Sequence, residues 1–100
     1  AYPDLSPIMI DKHPGEVFEA AVIVAQDMGW EIVSVAVEEG RIEATDTTFI
    51  MGFKDDIVIR VREEAGKALV DVRSASRVGE SDLGANANRI RAFRAKLTAQ

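Results

Sequence analysis

The stretch Asp56-Ile57-Val58-Ile59-Arg60-Val61-Arg62-Glu63-Glu64-Ala65-Gly66-Lys67-Ala68-Leu69-Val70-Asp71-Val72-Arg73 decides the fold. From Asp56 to Arg62 apolar and polar residues alternate, so Ile57, Ile59 and Val61 share one face while Val58, Arg60 and Arg62 share the other. Glu63-Glu64-Ala65-Gly66 makes a turn. Lys67 to Ala75 then alternates again, with Ala68, Val70 and Val72 opposed to Leu69, Asp71 and Arg73. If Ala65-Gly66 is a two-residue turn, Arg60 falls opposite Asp71 and Val58 opposite Arg73. Two alternating runs joined by a tight turn specify an antiparallel pair with one covered face and one face toward water.

Working back toward the start, Gly52 interrupts the chain, and Arg41 to Phe49 reads as the strand before it. Trp30 to Val37 is a β-rich run, and Glu38-Glu39-Gly40 joins the two strands as a turn with its glycine last. Before these lies a helix. Pro14 suits a first turn, Val17, Phe18, Ala21, Val24, Ala25 and Met28 recur at helical spacing, and Gly29 closes the element. Val22-Ile23-Val24 favours a strand locally, but a propensity difference of tenths of a kcal/mol per residue does not outweigh that punctuation. Pro3 and Pro7 extend the first residues, and Ile8-Met9-Ile10 is long enough for a short edge strand.

Toward the end, Ser76 to Ser81 reads as a loop. Ser81 or Asp82 caps a last helix with apolar residues Leu83, Ala87, Ile90, Phe93 and Leu97. Arg91, Arg94 and Lys96 lie off that stripe. The fold class is α+β: a four-stranded antiparallel meander with a short extra N-terminal edge strand and two helices packed on one face, in the order (β)αββββα. The expected core is Phe18, Ala21, Ala25, Met28, Ile57, Ile59, Val61, Val70, Val72, Leu83, Ile90 and Phe93.

The chain has 100 residues, room for a single domain spanning residues 1–100. It starts Ala1-Tyr2-Pro3-Asp4 without Met, which reads as a piece of a longer protein. A formal charge of −5 argues against non-specific binding to nucleic acid or anionic lipid. There is no cysteine and one histidine, so disulfides, thiolate catalysis and Cys-ligated zinc are excluded. No apolar stretch is long enough to span a membrane. Charge is uneven: residues 1–72 carry six basic and fifteen acidic side chains, and residues 73–100 carry six basic and two acidic.

Chemistry concentrates between Asp71 and Asn86. Arg73 and Arg77 offer forked donors, Ser74, Ser76, Ser81 and Asn86 offer hydrogen-bonding groups, and Gly84 allows close approach at a helix N-terminus. Together they fit a small-anion site. The reading preferred for these residues is a structural network in which Arg60, Asp71, Arg73, Arg77 and Asp82 pair with one another and with backbone. The opposite sheet face, with Arg60, Asp71, Glu43, Thr45 and Thr47, fits either a plain solvated surface or the seat of a protein partner. Gly79-Glu80-Ser81-Asp82-Leu83-Gly84 misses the nucleophile-elbow spacing by one residue, and His13 before Pro14 reads as a helix-start residue. Asp55 and Asp56 are adjacent on an extended chain and point to opposite faces, a poor cation cage. No catalytic residue, metal site or cofactor is expected. The reading is a non-catalytic binding or scaffolding domain, with the anion or enzymatic site as alternative.

Several strings together resemble one family: Met28-Gly29-Trp30, Arg41-Ile42-Glu43-Ala44-Thr45, Gly52-Phe53-Lys54-Asp55-Asp56-Ile57-Val58-Ile59-Arg60-Val61, Asp71-Val72-Arg73-Ser74-Ala75-Ser76-Arg77-Val78-Gly79, Ser81-Asp82-Leu83-Gly84-Ala85-Asn86-Ala87 and Arg89-Ile90-Arg91. The combined order is similar to the bacterial and plastid family called domain of unknown function 1499. The family's Cys-containing motif near its start has no counterpart here, so no role tied to it carries over. The resemblance implies a module that longer relatives place after membrane-spanning segments. A tether to a bacterial membrane through a preceding segment is the corresponding expectation, and the family brings no activity with it.

Overall fold

The computed structural model describes residues 5–47, 54–76 and 83–100, apart from the Leu83 side chain. The elements run β1 (Ile8–Ile10), α1 (Pro14–Asp27), β2 (Glu31–Ala36), a 3-10 turn (Val37–Glu39), β3 (Arg41–Thr47), β4 (Lys54–Glu64), β5 (Lys67–Ser76) and α2 (Leu83–Thr98). The five strands form one antiparallel sheet in the order β1-β5-β4-β3-β2. This is the expected meander with the N-terminal strand added at its β5 edge. The chain therefore starts at one edge of the sheet, and α1 carries it over to β2 at the other edge.

The β4–β5 register pairs Glu64 with Lys67, Arg60 with Asp71 and Val58 with Arg73, so the turn is Ala65-Gly66. Both turn residues have positive φ, 53° at Ala65 and 80° at Gly66. That left-handed geometry matches the strands' own twist in a two-residue hairpin. The strands extend to the turn on both sides, so Glu63 and Glu64 belong to β4 and not to the loop.

α1 begins at His13, whose Nδ1 accepts a hydrogen bond from the Gly15 N–H at 3.0 Å, with Pro14 in the first turn. It ends where Gly29 N–H donates to Gln26 O at 2.9 Å and Trp30 N–H to Ala25 O at 3.2 Å, the two bonds of a Schellman closure around a left-handed glycine. Val17, Phe18, Ala21, Val24 and Ala25 are buried against the sheet, as the stripe requires. Val22-Ile23-Val24 is helical: the stripe and the caps prevail over its strand preference.

One face of the sheet carries the core. Ile42 and Ala44 of β3, Ile57, Ile59 and Val61 of β4, and Ala68, Val70 and Val72 of β5 are buried under both helices with Ile90, Phe93 and Leu97. Trp30 stacks on Phe93 with ring centroids 5.3 Å apart and planes 16° from parallel. Met28 is only partly buried at the edge of this cluster, and the Leu83 side chain lies outside the described residues. No helix among the described residues is long and apolar enough to cross a membrane.

Candidate functional site

Alternation along the strands sorts the expected site residues onto two faces. Ser74 pairs across from Ile57 and Ser76 across from Asp55, which places both serines on the helix-covered face. Arg73 pairs with Val58 on the open face and is 82 % exposed, with its Nε 3.6 Å from Asp71 Oδ2. The structure therefore brings Ser74, Ser76 and Asn86 together, and directs Arg73 and Asp71 away from them. Arg60 is exposed and sits opposite Asp71, as the two-residue turn demands. Glu43, Thr45 and Thr47 share that open face. Gly84 is exposed in the first turn of α2, while Arg77, Ser81, Asp82 and Gly79 lie outside the described residues.

The centre of the covered cluster is Arg89, which the sequence reading did not single out. Its guanidinium donates from Nε to Asp46 Oδ2 at 2.9 Å and from Nη2 to Asp55 Oδ2 at 2.6 Å. From Nη1 it donates to Asn86 Oδ1 at 2.7 Å and to Ser74 Oγ at 3.0 Å. Ser74 in turn donates to Asn86 Oδ1 at 2.6 Å, and Asn86 Nδ2 donates to Ser76 Oγ at 3.4 Å. The Arg89 and Asp55 side chains are each 11 % exposed and Asp46 is 30 % exposed. Among the described residues no buried side-chain nitrogen or oxygen lacks a partner.

This arrangement decides what the cluster can do. An anion site needs donors that converge on empty space, and the forked donors of Arg89 converge on two carboxylates of its own chain. A serine nucleophile needs a base to take its proton, and the Ser74 hydroxyl is directed at an amide oxygen and receives a bond from the guanidinium. What the cluster does is tie α2 to β3, β4 and β5 at one end of the covered face, with each partly buried charge facing an opposite charge.

At the other end of β4 the covered face opens into a groove of about 580 Å³. One wall is α1, through the i, i+4 rows Pro14–Phe18–Val22 and Gly15–Glu19–Ile23. The other is the 3-10 turn, through Val37 and Gly40, with Val61 as floor. Gly40 has φ 63°, and a Cβ there would lie 2.1 Å from the Val61 carbonyl oxygen; its own carbonyl accepts the Val61 N–H at 2.8 Å. The glycine thus lets the turn lie flat against β4 and leaves the space above it open. Ile23 is 54 % exposed and Val37 71 % exposed, both large apolar side chains facing water beside this groove.

Four acidic residues belong to the two elements that wall it. Glu19 lines the groove, Asp27 follows Ile23 on the same helical row, and Glu38 and Glu39 stand between Val37 and Gly40 on the turn. Arg41, the nearby base, is held by Glu39 at 2.6 Å and Glu43 at 3.6 Å. In the sequence this feature was hidden because Ile23 and Val37 read as ordinary members of a helix and a strand. For Ile23 its displacement from the core stripe of α1, which runs through Val17, Ala21 and Val24, was the available signal.

Comparison with curated proteins finds no match. The family model described as a protein of unknown function, DUF1499, matches residues 1–97, nearly the whole chain. With the β1-α1-meander-α2 frame, the Arg89 cluster and the groove all inside that match, the chain belongs to the DUF1499 family.

Proposed function

We propose that this chain is a non-catalytic binding module that receives an apolar group of its ligand in the groove between α1 and the 3-10 turn. The observation that carries the reading is the groove itself: about 580 Å³, walled by Phe18, Val22, Ile23, Val37 and Val61. That volume falls within the size range of ligand pockets, which are mostly apolar with few polar groups. Ile23 and Val37 stay largely in water at its rim and extend its apolar lining toward solvent, which supports this reading. The Arg89 cluster supports the same reading from the other side, since its donors and acceptors satisfy one another within the fold.

Nile red, a neutral dye that brightens and shifts to the blue in apolar surroundings, tests this. Titrated with the wild-type chain it should give a saturable blue-shifted signal, and methyl resonances of Val22, Ile23 and Val37 should move together. The double variant Ile23→Gln/Val37→Gln should lose both responses while retaining its melting temperature. An equal dye response in both proteins, or none in the wild type, refutes the groove as the binding site.

A further inference from the structure

We infer that the groove's occupant is a basic amphipathic helix of a partner protein, an inference that rests on the groove being the binding site. The shape of the groove suits a helix. The groove is walled by two neighbouring i, i+4 rows of α1 from Pro14 to Ile23, about 14 Å of helix. Such rows form the ridges and grooves into which the side chains of a second helix pack. Gly15, exposed on one row, lowers the wall and lets a partner backbone approach. None of Glu31–Ala36 lines the groove, so a peptide adding a strand to the β2 edge would lie outside it.

The charge around the groove suits a basic one. Glu19 lines the groove, Asp27 continues the same row of α1, Glu38 and Glu39 belong to the turn that forms the other wall, and Arg41 is engaged by Glu39 and Glu43. Glu63 adds to them, because it follows Val61 by two residues on β4 and so faces the same side of the sheet. A ligand entering here meets an apolar floor inside an acidic frame. Fatty acids and anionic lipid surfaces are repelled by that frame. A helix with apolar anchors at i and i+4 and Lys or Arg on its flanks matches both parts of it.

Two peptides of about 14 residues test the inference, one with Leu on one face and Lys elsewhere, the other identical with Glu for each Lys. Each is titrated against the full chain preloaded with Nile red. The Lys peptide should displace the dye with an affinity about tenfold or more above that of the Glu peptide at low ionic strength, and salt should shrink the difference. Asp27→Asn/Glu38→Gln/Glu63→Gln should remove most of that preference while leaving the dye signal in place, since none of the three lines the groove.

If both peptides displace the dye equally, the charge inference is overturned and the groove stands. If the dye binds and neither peptide displaces it, a helical occupant is overturned. Loss of dye sites as the chain itself is concentrated into dimers identifies a second copy as occupant and overturns the partner helix. Absence of dye binding in the wild type would instead strike the groove reading on which the inference rests.

Discussion

At the Asp55 end of β4 the covered face of the sheet is polar and closed: Asp46, Asp55, Ser74, Ser76, Asn86 and Arg89 use their donors and acceptors on one another. About 20 Å farther along the same strand, at Val61, it is apolar and open, with Val37 and Ile23 facing water. The residue types one would associate with chemistry are thus at the end where the fold consumes them. The residue types one would associate with core are at the end where the fold leaves them uncovered. A site is thus recognised by what its groups have left to offer, not by their names.

The sharpest way to break the comparison is to remove the hub of the closed end. Arg89→Met leaves Asp55 and Asp46 facing each other without their shared cation in a mostly buried setting. We expect a loss of roughly 3–5 kcal/mol in urea denaturation, the usual consequence of breaking a buried ion pair from one side. Arg89→Lys should recover only part of this, because an ammonium cannot direct donors to Asp46, Asp55, Ser74 and Asn86 at once. A loss below about 1 kcal/mol for Arg89→Met would mean that the cluster behaves as a surface ion pair and that the two ends differ less than their geometry says.

At the open end the corresponding weak point is backbone. Gly40→Ala brings a methyl group against the Val61 carbonyl, 2.1 Å away before any relaxation, in a residue at φ 63°. The turn must lift off β4, which should cost about 1–3 kcal/mol and weaken the Gly40–Val61 hydrogen bond. Amide exchange at Val61 faster than in the wild type would report that lift directly. Unchanged exchange and stability would show that the turn is not anchored at this glycine.

How legible all this was in the sequence follows from which signal each part rests on. The meander was legible because Ile57, Ile59 and Val61 alternate with Val58, Arg60 and Arg62, and period two has no other common reading; the Arg60–Asp71 register then followed from Ala65-Gly66. Helix α1 was legible from its stripe and its Pro and Gly punctuation despite Val22-Ile23-Val24. The Arg89 cluster was not, for two reasons. Asp55 was weighed only with Asp56 as a poor cation cage, so its place on the face of Ile57, in a strand that begins at Lys54, was not connected with a cation on the last helix. Arg89 lies close to Arg91 and Arg94 in the basic end of the chain and was not set apart from them, although its i+4 neighbour Phe93 and i−3 neighbour Asn86 are both buried. A charge lying on the core-facing stripe of a helix was the signal to follow.

The Ala65-Gly66 turn, which neither lines the groove nor joins the Arg89 cluster, gives a smaller effect that calibrates the rest. Ala65 occupies the left-handed region at φ 53°, which costs a residue with a Cβ something that Asn tolerates better. Ala65→Asn should raise stability by about 0.5–1 kcal/mol, seen as a higher urea midpoint at an unchanged slope. No gain would indicate that the strand pairing around the turn compensates for the strain.

The smallest expected effect on stability is also the one that most sharpens the comparison. In the double variant Ile23→Gln/Val37→Gln, two large side chains that are 54 % and 71 % exposed in the folded chain give up contacts mostly with water. Stability should stay within about 0.5 kcal/mol of the wild type, since surface substitutions away from packed or paired groups rarely exceed that. Binding of an apolar probe should nevertheless disappear, because the same atoms form the rim of the groove. At the Arg89 end, side chains are held by the fold, and altering them should be read in the denaturation curve. At the Ile23 end they are held ready for something outside the fold, and altering them should be read only in binding. A stability loss of 2 kcal/mol or more for the double variant, on the scale of about 2–5 kcal/mol for truncating a buried aliphatic side chain, would mean that Ile23 and Val37 are core residues in solution. The open end would then be closed as well.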